Sequence, residues 1–198
     1  FCSMSTKYKF LDPEGIYFVS FATVHWIDIF TRLEYKEIFC DSIRYCQLNK
    51  GLIIHAWCLM SNHVHLIFSA KEKGTQSDIL RDLKKFTAKK IVEAIKNNTS
   101  ESRKEWILEK LYFAGSQNSN NKYVQLWQQD NHPIEIFSPK VISQKIEYVH
   151  NNPIVAGIVS EAHHYLYSSA CDYIGIKGLI DVEILDIPSS FVGYVLST

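Results

Sequence analysis

The absences in this chain narrow the reading before any motif does. No apolar run among its 198 residues approaches the ~20 needed to cross a bilayer. Net charge is missing too. The 21 Lys and Arg balance the 21 Asp and Glu, so global charge gives no support to nucleic-acid binding, and any such surface must come from local clustering. The five cysteines include no C-x-x-C pair, and their odd number and irregular spacing argue against a disulfide framework or a zinc ribbon. Buried thiols in a reducing compartment fit better. No signal-peptide pattern opens the chain, so a cytoplasmic protein with no membrane partner is expected. Phe1-Cys2-Ser3 stand before Met4, which reads as the natural start.

What is present suffices for a packed core, with 46% hydrophobic and 13% aromatic residues. The length fits one domain over residues 4–198. A polar, biased stretch at about 97–123, centred on Ser116-Gln117-Asn118-Ser119-Asn120-Asn121, reads as an insertion with a short helix at 105–113. An irregular tail follows from about 160 to 198, with Tyr165, Tyr167 and Tyr173 as its anchors.

Residues 16–24 are rich in aromatic and β-branched side chains and predict a first strand. Helical spacing of Leu33, Ile38, Phe39, Ser42, Ile43 and Cys46 predicts a helix over 33–48, closed by Asn49-Lys50-Gly51. Two apolar runs, 52–60 and 64–68, flank a polar break at Ser61-Asn62 and predict paired antiparallel strands. A long helix follows, capped by Thr75 or Ser77, with Leu80, Leu83, Phe86, Ile91, Ala94 and Ile95 as its core stripe. Residues 123–129 read as a fourth strand. Ser138 then caps a helix over 139–151 with Pro139 in its first turn, and Pro153 ends or bends it. The order predicts an α+β fold: a ferredoxin-like antiparallel sheet, β-α-β-β-α-β, with helices on one face, the opposite face free for a ligand, and an additional C-terminal helix carrying a tyrosine.

The chemistry-bearing stretch is Asn62-His63-Val64-His65. In a strand, residues i and i+2 project to one face, so both imidazoles point the same way and can chelate one divalent ion. A lone H-x-H equally fits two partly exposed histidines with no ligand. In the late helix, Tyr148 and Asn152 are four apart and share a face. They can join the histidines at a metal site with a phenol beside it, or simply close a helix end. Arg81, Lys84, Lys85, Lys89 and Lys90 crowd the remaining faces of the long helix, as a solvated surface or as a ridge contacting phosphates.

Trp57-Cys58-Leu59-Met60-Ser61-Asn62-His63-Val64-His65-Leu66-Ile67 resembles the W-x-x-M-x-N-H-x-H block of the single-tyrosine HUH transposases, most closely the branch associated with repetitive extragenic palindromes. Tyr148-Val149-His150-Asn151-Asn152-Pro153-Ile154-Val155-Ala156-Gly157-Ile158-Val159 is similar to that branch's Y-I-H-x-N-P-x-x-A-G-x-V. Trp127-Gln128-Gln129 and Tyr167-Ser168-Ser169 also resemble family positions. The chain departs from the pattern at the polar insertion and at Gln128-Gln129-Asp130. The resemblance implies that His63 and His65 ligate a divalent metal, Mg²⁺ or Mn²⁺. It implies Asn152 as the third ligand and Tyr148 as the nucleophile that cleaves and rejoins single-stranded or hairpin DNA through a phosphotyrosine. Monomer and homodimer both stay open, as does whether Tyr148 serves its own histidines or a partner's. Two other readings compete: a domesticated, non-catalytic nucleic-acid-binding protein on the same fold, and a metal-dependent hydrolase of small phosphoesters, which leaves Tyr148 without a role.

Overall fold

The computed structural model describes residues 10–71, 75–118, 123–129 and 131–186. Readings that fell on Phe1-Cys2-Ser3, Met4, Ser119, Asn120, Asn121, Asp130 and the last part of the tail lie outside them. Strand β1 (Tyr17–Ala22) leads through two short 3-10 turns into helix α1 (Leu33–Lys50). Strands β2 (Leu52–Leu59) and β3 (His63–Ala70) form a hairpin, followed by helices α2 (Gln76–Asn97) and α3 (Lys104–Ser116). A two-residue strand β4 (Ile134–Glu135) and helix α4 (Pro139–Val155) complete the elements. The sheet is antiparallel with order β2-β3-β1-β4, as a ferredoxin-like topology requires.

Local chemistry sets the helix ends. Gly51 adopts the left-handed conformation that closes α1, at φ 75°. The Thr75 hydroxyl accepts from the Asp78 N–H at the start of α2. Ser138 does the same for Val141 at the start of α4, with Pro139 in the first turn. Pro153 falls in the last turn of α4, which ends two residues later at Val155.

Alternation divides the sheet into two faces. Val64, Leu66 and Phe68 lie with Val19 and Phe21 on one of them, and all are buried. There Phe21 meets the edge of Trp127, which stacks on Phe30, contacts Phe39 of α1 and donates its indole N–H to Thr87 of α2. This is the helix-covered core. Each such fully buried side chain contributes ~1.5–3 kcal/mol of transfer free energy. The other face carries His63, His65, Ile67, Phe18 and Ser20, and it is not open as expected. Helix α4 lies on it, with Tyr148 packed edge-on against both Phe18 and His65.

Two expectations of the sequence change here. Residues 123–129 form no strand; among the described residues they make a single bridge, Thr23 to Trp127. The β-forming residues of that stretch serve the core instead, where Leu126 and Trp127 are buried. The polar insertion contains a three-turn helix, longer than the 105–113 expected. Ile107 and Leu111 anchor it, and Gly115 lets it approach the following chain so closely that a Cβ there would sit 2.7 Å from the Val124 nitrogen. Its entry is held by Glu101, whose carboxylate meets Arg32 at 3.0 Å and Arg103 at 3.5 Å.

The tail covers the free edge of β2, which would otherwise present unpaired backbone groups. The Leu59 N–H donates to Tyr167, the Ser169 N–H to Trp57 and the Glu183 N–H to Ile54. The hydroxyls of Tyr165 and Tyr173 reach the Leu59 and His55 carbonyls. All four described cysteines are buried and unpaired with one another, and burial raises the Cys40 and Cys58 thiols to about 12. Among the described residues no helix is long and apolar enough to cross a membrane.

Candidate active site

The β2–β3 turn is where the site begins. Its carbonyls are taken up from outside the hairpin: the Thr23 N–H donates to Asn62 and the Phe30 N–H to Ser61. That fixes the position at which β3 starts, and so the position of His63 and His65. Their rings lie side by side, with centroids 4.8 Å apart. The same-face placement expected from i, i+2 spacing holds.

Each imidazole is prepared differently. The Asn62 amide donates to the Trp26 carbonyl at 3.2 Å, which turns its oxygen toward His63 Nδ1 at 2.7 Å. Nδ1 therefore carries the proton and donates it, and Nε2 keeps its lone pair free. This is how a ligating histidine is oriented from behind. His65 is only 3% exposed, and neither of its ring nitrogens has a hydrogen-bond partner among the described residues. A buried imidazole ordinarily costs ~1–3 kcal/mol when left unsatisfied, so this one calls for a partner. Burial first, then the His63 ring, push its pKa down to about 4. Burial lowers His63 as well. Both rings are thus neutral near pH 7, the form that binds metal.

Helix α4 brings in the rest. Tyr148 faces the pair, its ring centred 5.1 Å from that of His65, and half of it is exposed to solvent. One turn on, the Asn152 Nδ2 donates to the Tyr148 carbonyl at 2.7 Å. With the nitrogen so engaged, the amide oxygen is the atom left for the histidines. Its side chain is close enough to oppose the lowering of both imidazole pKa values. Among the described residues no group of three His, Cys, Asp or Glu side chains is placed to hold a metal. Here the third nearby donor is an amide, so His63, His65 and Asn152, all neutral, are the candidate ligands. Orphaned nitrogens on His65, a fixed tautomer on His63 and an aimed amide oxygen fit a divalent cation.

The sequence reading missed three neighbours. Lys145 places its ammonium 4.6 Å from the centre of the Phe18 ring and 5.7 Å from that of Tyr148. Its i, i+3 spacing from Tyr148 was the available signal. Trp26 meets His63 edge-on at 6.0 Å, and Phe18 stacks on His65 at 5.9 Å. His150, within the same motif as Tyr148, turns away into the interior and bonds Ser169 Oγ at 2.8 Å.

The basic cluster is not brought to this site. Helix α2 packs against the Phe21 face, opposite the histidines. Arg81 is paired with Asp78 and Asp82. Lys84 donates to the Gln128 carbonyl and to Asn131, tying a loop to the helix. Lys85, Lys89 and Lys90 are exposed on the far side.

The family described as "Transposase IS200 like" matches residues 21–129, a span that includes both histidines and stops before α4. No curated protein matches the chain. Among solved structures, a REP-associated tyrosine transposase bound to a REP hairpin is similar, with a TM-score of 0.63 at 15% identity over 94% of this chain and 96% of that one. A putative transposase from Deinococcus radiodurans R1 is similar at a TM-score of 0.43 and 18% identity, over 74% of this chain and 97% of that one.

Proposed function

Because the chain belongs to the IS200-like transposase family, we propose that it is a metal-dependent single-tyrosine DNA transposase that cleaves and rejoins single-stranded or hairpin DNA through Tyr148. The observation that carries this reading is the meeting of Tyr148 with the His63/His65 pair across the sheet, from elements about eighty residues apart in sequence. The solved structure of like fold is bound to a DNA hairpin, which supports a hairpin as substrate here.

His63, His65 and Asn152 would hold Mg²⁺ or Mn²⁺. A divalent ion there supplies neutralisation of a non-bridging phosphate oxygen, which otherwise repels a nucleophile. Imidazole ligands tilt intrinsic affinity toward Mn²⁺, while availability favours Mg²⁺. The chain does the rest. Tyr148, on a rigid helix, presents its hydroxyl to phosphorus. The phenol oxygen forms the new P–O bond, the bond to the 3′ oxygen breaks, and that oxygen leaves as a 3′-hydroxyl carrying the equivalent of the phenol's proton. The phenol gives up its proton during attack, and the exposed side of Tyr148 opens to water. Lys145 has no acidic partner among the described residues and can face the same phosphate. Since the ester is conserved, a 3′-hydroxyl reverses the step with no nucleotide cofactor.

The test is incubation with hairpin DNA bearing single-stranded flanks, in Mg²⁺ or Mn²⁺. A denaturation-resistant protein–DNA adduct is expected, absent in Tyr148→Phe although DNA binding persists. Binding without any adduct in the unsubstituted chain leaves a non-catalytic nucleic-acid-binding protein. Cleavage without an adduct leaves a hydrolase.

A further inference from the structure

Beside the histidines the backbone does something costly. His25 and Trp26 both adopt positive φ, 54° and 55°, a conformation that side chains bearing a Cβ rarely take. The residues flanking them, Val24 and Ile27, are buried, as if pinned. The turn is held by hydrogen bonds from the Trp26 N–H to the Thr23 carbonyl, the Ile27 N–H to the Val24 carbonyl, the Thr23 hydroxyl to the Ile27 carbonyl and the Asn62 amide to the Trp26 carbonyl. The outcome is an indole pushed into solvent, 59% exposed, against the outer edge of His63. Exposing a tryptophan and straining its backbone both oppose folding, and such strain gathers where function needs it. One residue before it in the chain, His25, also exposed, lies 6.4 Å from Phe113 of α3, itself 57% exposed.

We propose that Trp26 and, beyond it, Phe113 form a stacking track for the unpaired nucleobases that flank the scissile phosphate. This rests on the DNA-cleaving reading of the His63/Tyr148 site and adds where the single strand runs. Every base has a π-face, so aromatic side chains hold unpaired strands with little sequence preference, and stacked duplex bases cannot use them. The track starts beside the His63 ring and has its second aromatic on α3. It thus gives the polar insertion a role as the support of the second aromatic. It also couples the track to the site, because Asn62 touches both the Trp26 carbonyl and His63.

The experiment measures equilibrium binding by fluorescence anisotropy with the full chain carrying Tyr148→Phe, so that no turnover intervenes. The probe is a DNA hairpin with an unpaired oligothymidine flank on each side. It is compared with the same hairpin cut flush and with one whose flanks are abasic, which keeps the phosphates and removes the π-faces. Trp26→Ala is expected to weaken the thymidine-flanked hairpin roughly tenfold and leave the flush and abasic-flanked ones unchanged. Trp26→Phe keeps most of the affinity, and Phe113→Ala shows the same selective loss as Trp26→Ala. Equal loss on all three DNAs, or silence of either alanine variant on the thymidine-flanked hairpin, overturns the track. So does a change in sedimentation of Trp26→Ala with no change in DNA binding, which marks a contact between copies of the chain. Adduct formation by the unsubstituted protein reports on the catalytic reading alone, so the two can fail separately.

Discussion

Replacing Asn62 by alanine isolates the device that prepares His63. In the structure the Asn62 oxygen accepts from Nδ1 at 2.7 Å, while its nitrogen is spent on the Trp26 carbonyl. Without the acceptor, the ring loses both the bias toward the Nδ1–H tautomer and its fixed orientation. Comparable losses behind ligating histidines cost about 10–100-fold in metal affinity, or roughly 1.4–2.8 kcal/mol. The fold should tolerate the change, since a partly exposed neutral hydrogen bond contributes only ~0.5–1.5 kcal/mol. Calorimetric titration of the DNA-free chain with Mn²⁺ reads the loss directly. Asn62→Asp restores the acceptor but not the donor, so its Mn²⁺ affinity should return to that of the unsubstituted chain or exceed it while the Trp26 turn loosens. If Asn62→Ala binds Mn²⁺ as tightly as the unsubstituted chain while His63→Ala does not, the reasoning about the tautomer is wrong.

The other predictions concern stability and rate. Mn²⁺ at about a hundredfold over its dissociation constant should raise the melting temperature by roughly 5–10 °C, and the increment should vanish in His65→Ala, whatever that variant's metal-free stability; a full increment in His65→Ala refutes its role as ligand. Lys145→Ala should slow adduct formation about tenfold or more with Lys145→Arg restoring much of it, as expected for a charge facing phosphate; equal rates in rapid-quench assays refute that role. His55 is buried between Ser69 Oγ and the Glu183 carbonyl, and burial lowers its pKa. The unfolded chain therefore takes up the proton first, so the stability it confers is complete above about pH 6.5 and is lost as pH falls below that value. Urea unfolding at several pH values should show this slope, shallower in His55→Gln, and an unchanged slope contradicts the assignment.

Local periodicity carried much of the fold into the sequence. The hairpin at 52–68 showed as two apolar runs about a polar turn, α2 showed as a stripe of which only Phe86 lies exposed, and Ser138-Pro139 marked the start of α4. The misses share a cause. Residues 123–129 have strand composition, but their side chains are recruited by a core that lies between helices, and composition does not tell pairing from packing. The actual β4 is two residues long, too short for any alternation to show. Nor can a helical stripe say which side of a sheet its helix takes, so the basic face of α2 carried no sign that it lies opposite the histidines.

The site was legible in halves. The spacing of His63 and His65 gave their common face, and that of Tyr148 and Asn152 gave theirs. That the halves meet depends on α4 crossing the sheet, a long-range fact that no local spacing encodes; only the likeness to known motifs implied it. Trp26 was invisible for another reason. A single aromatic in a loop has no period, and its left-handed backbone belongs to a two-residue turn between the buried Val24 and Ile27.

The most direct measurement is to digest the covalent product and locate the nucleotide. The unsubstituted chain is incubated with the flanked hairpin and Mn²⁺, denatured, cut with protease and nuclease, and its peptides are sequenced by mass spectrometry. A phosphonucleotide is expected on the peptide containing Tyr148, on its phenol oxygen. A nucleotide on any other residue, or cleaved DNA with every peptide unmodified, contradicts that expectation.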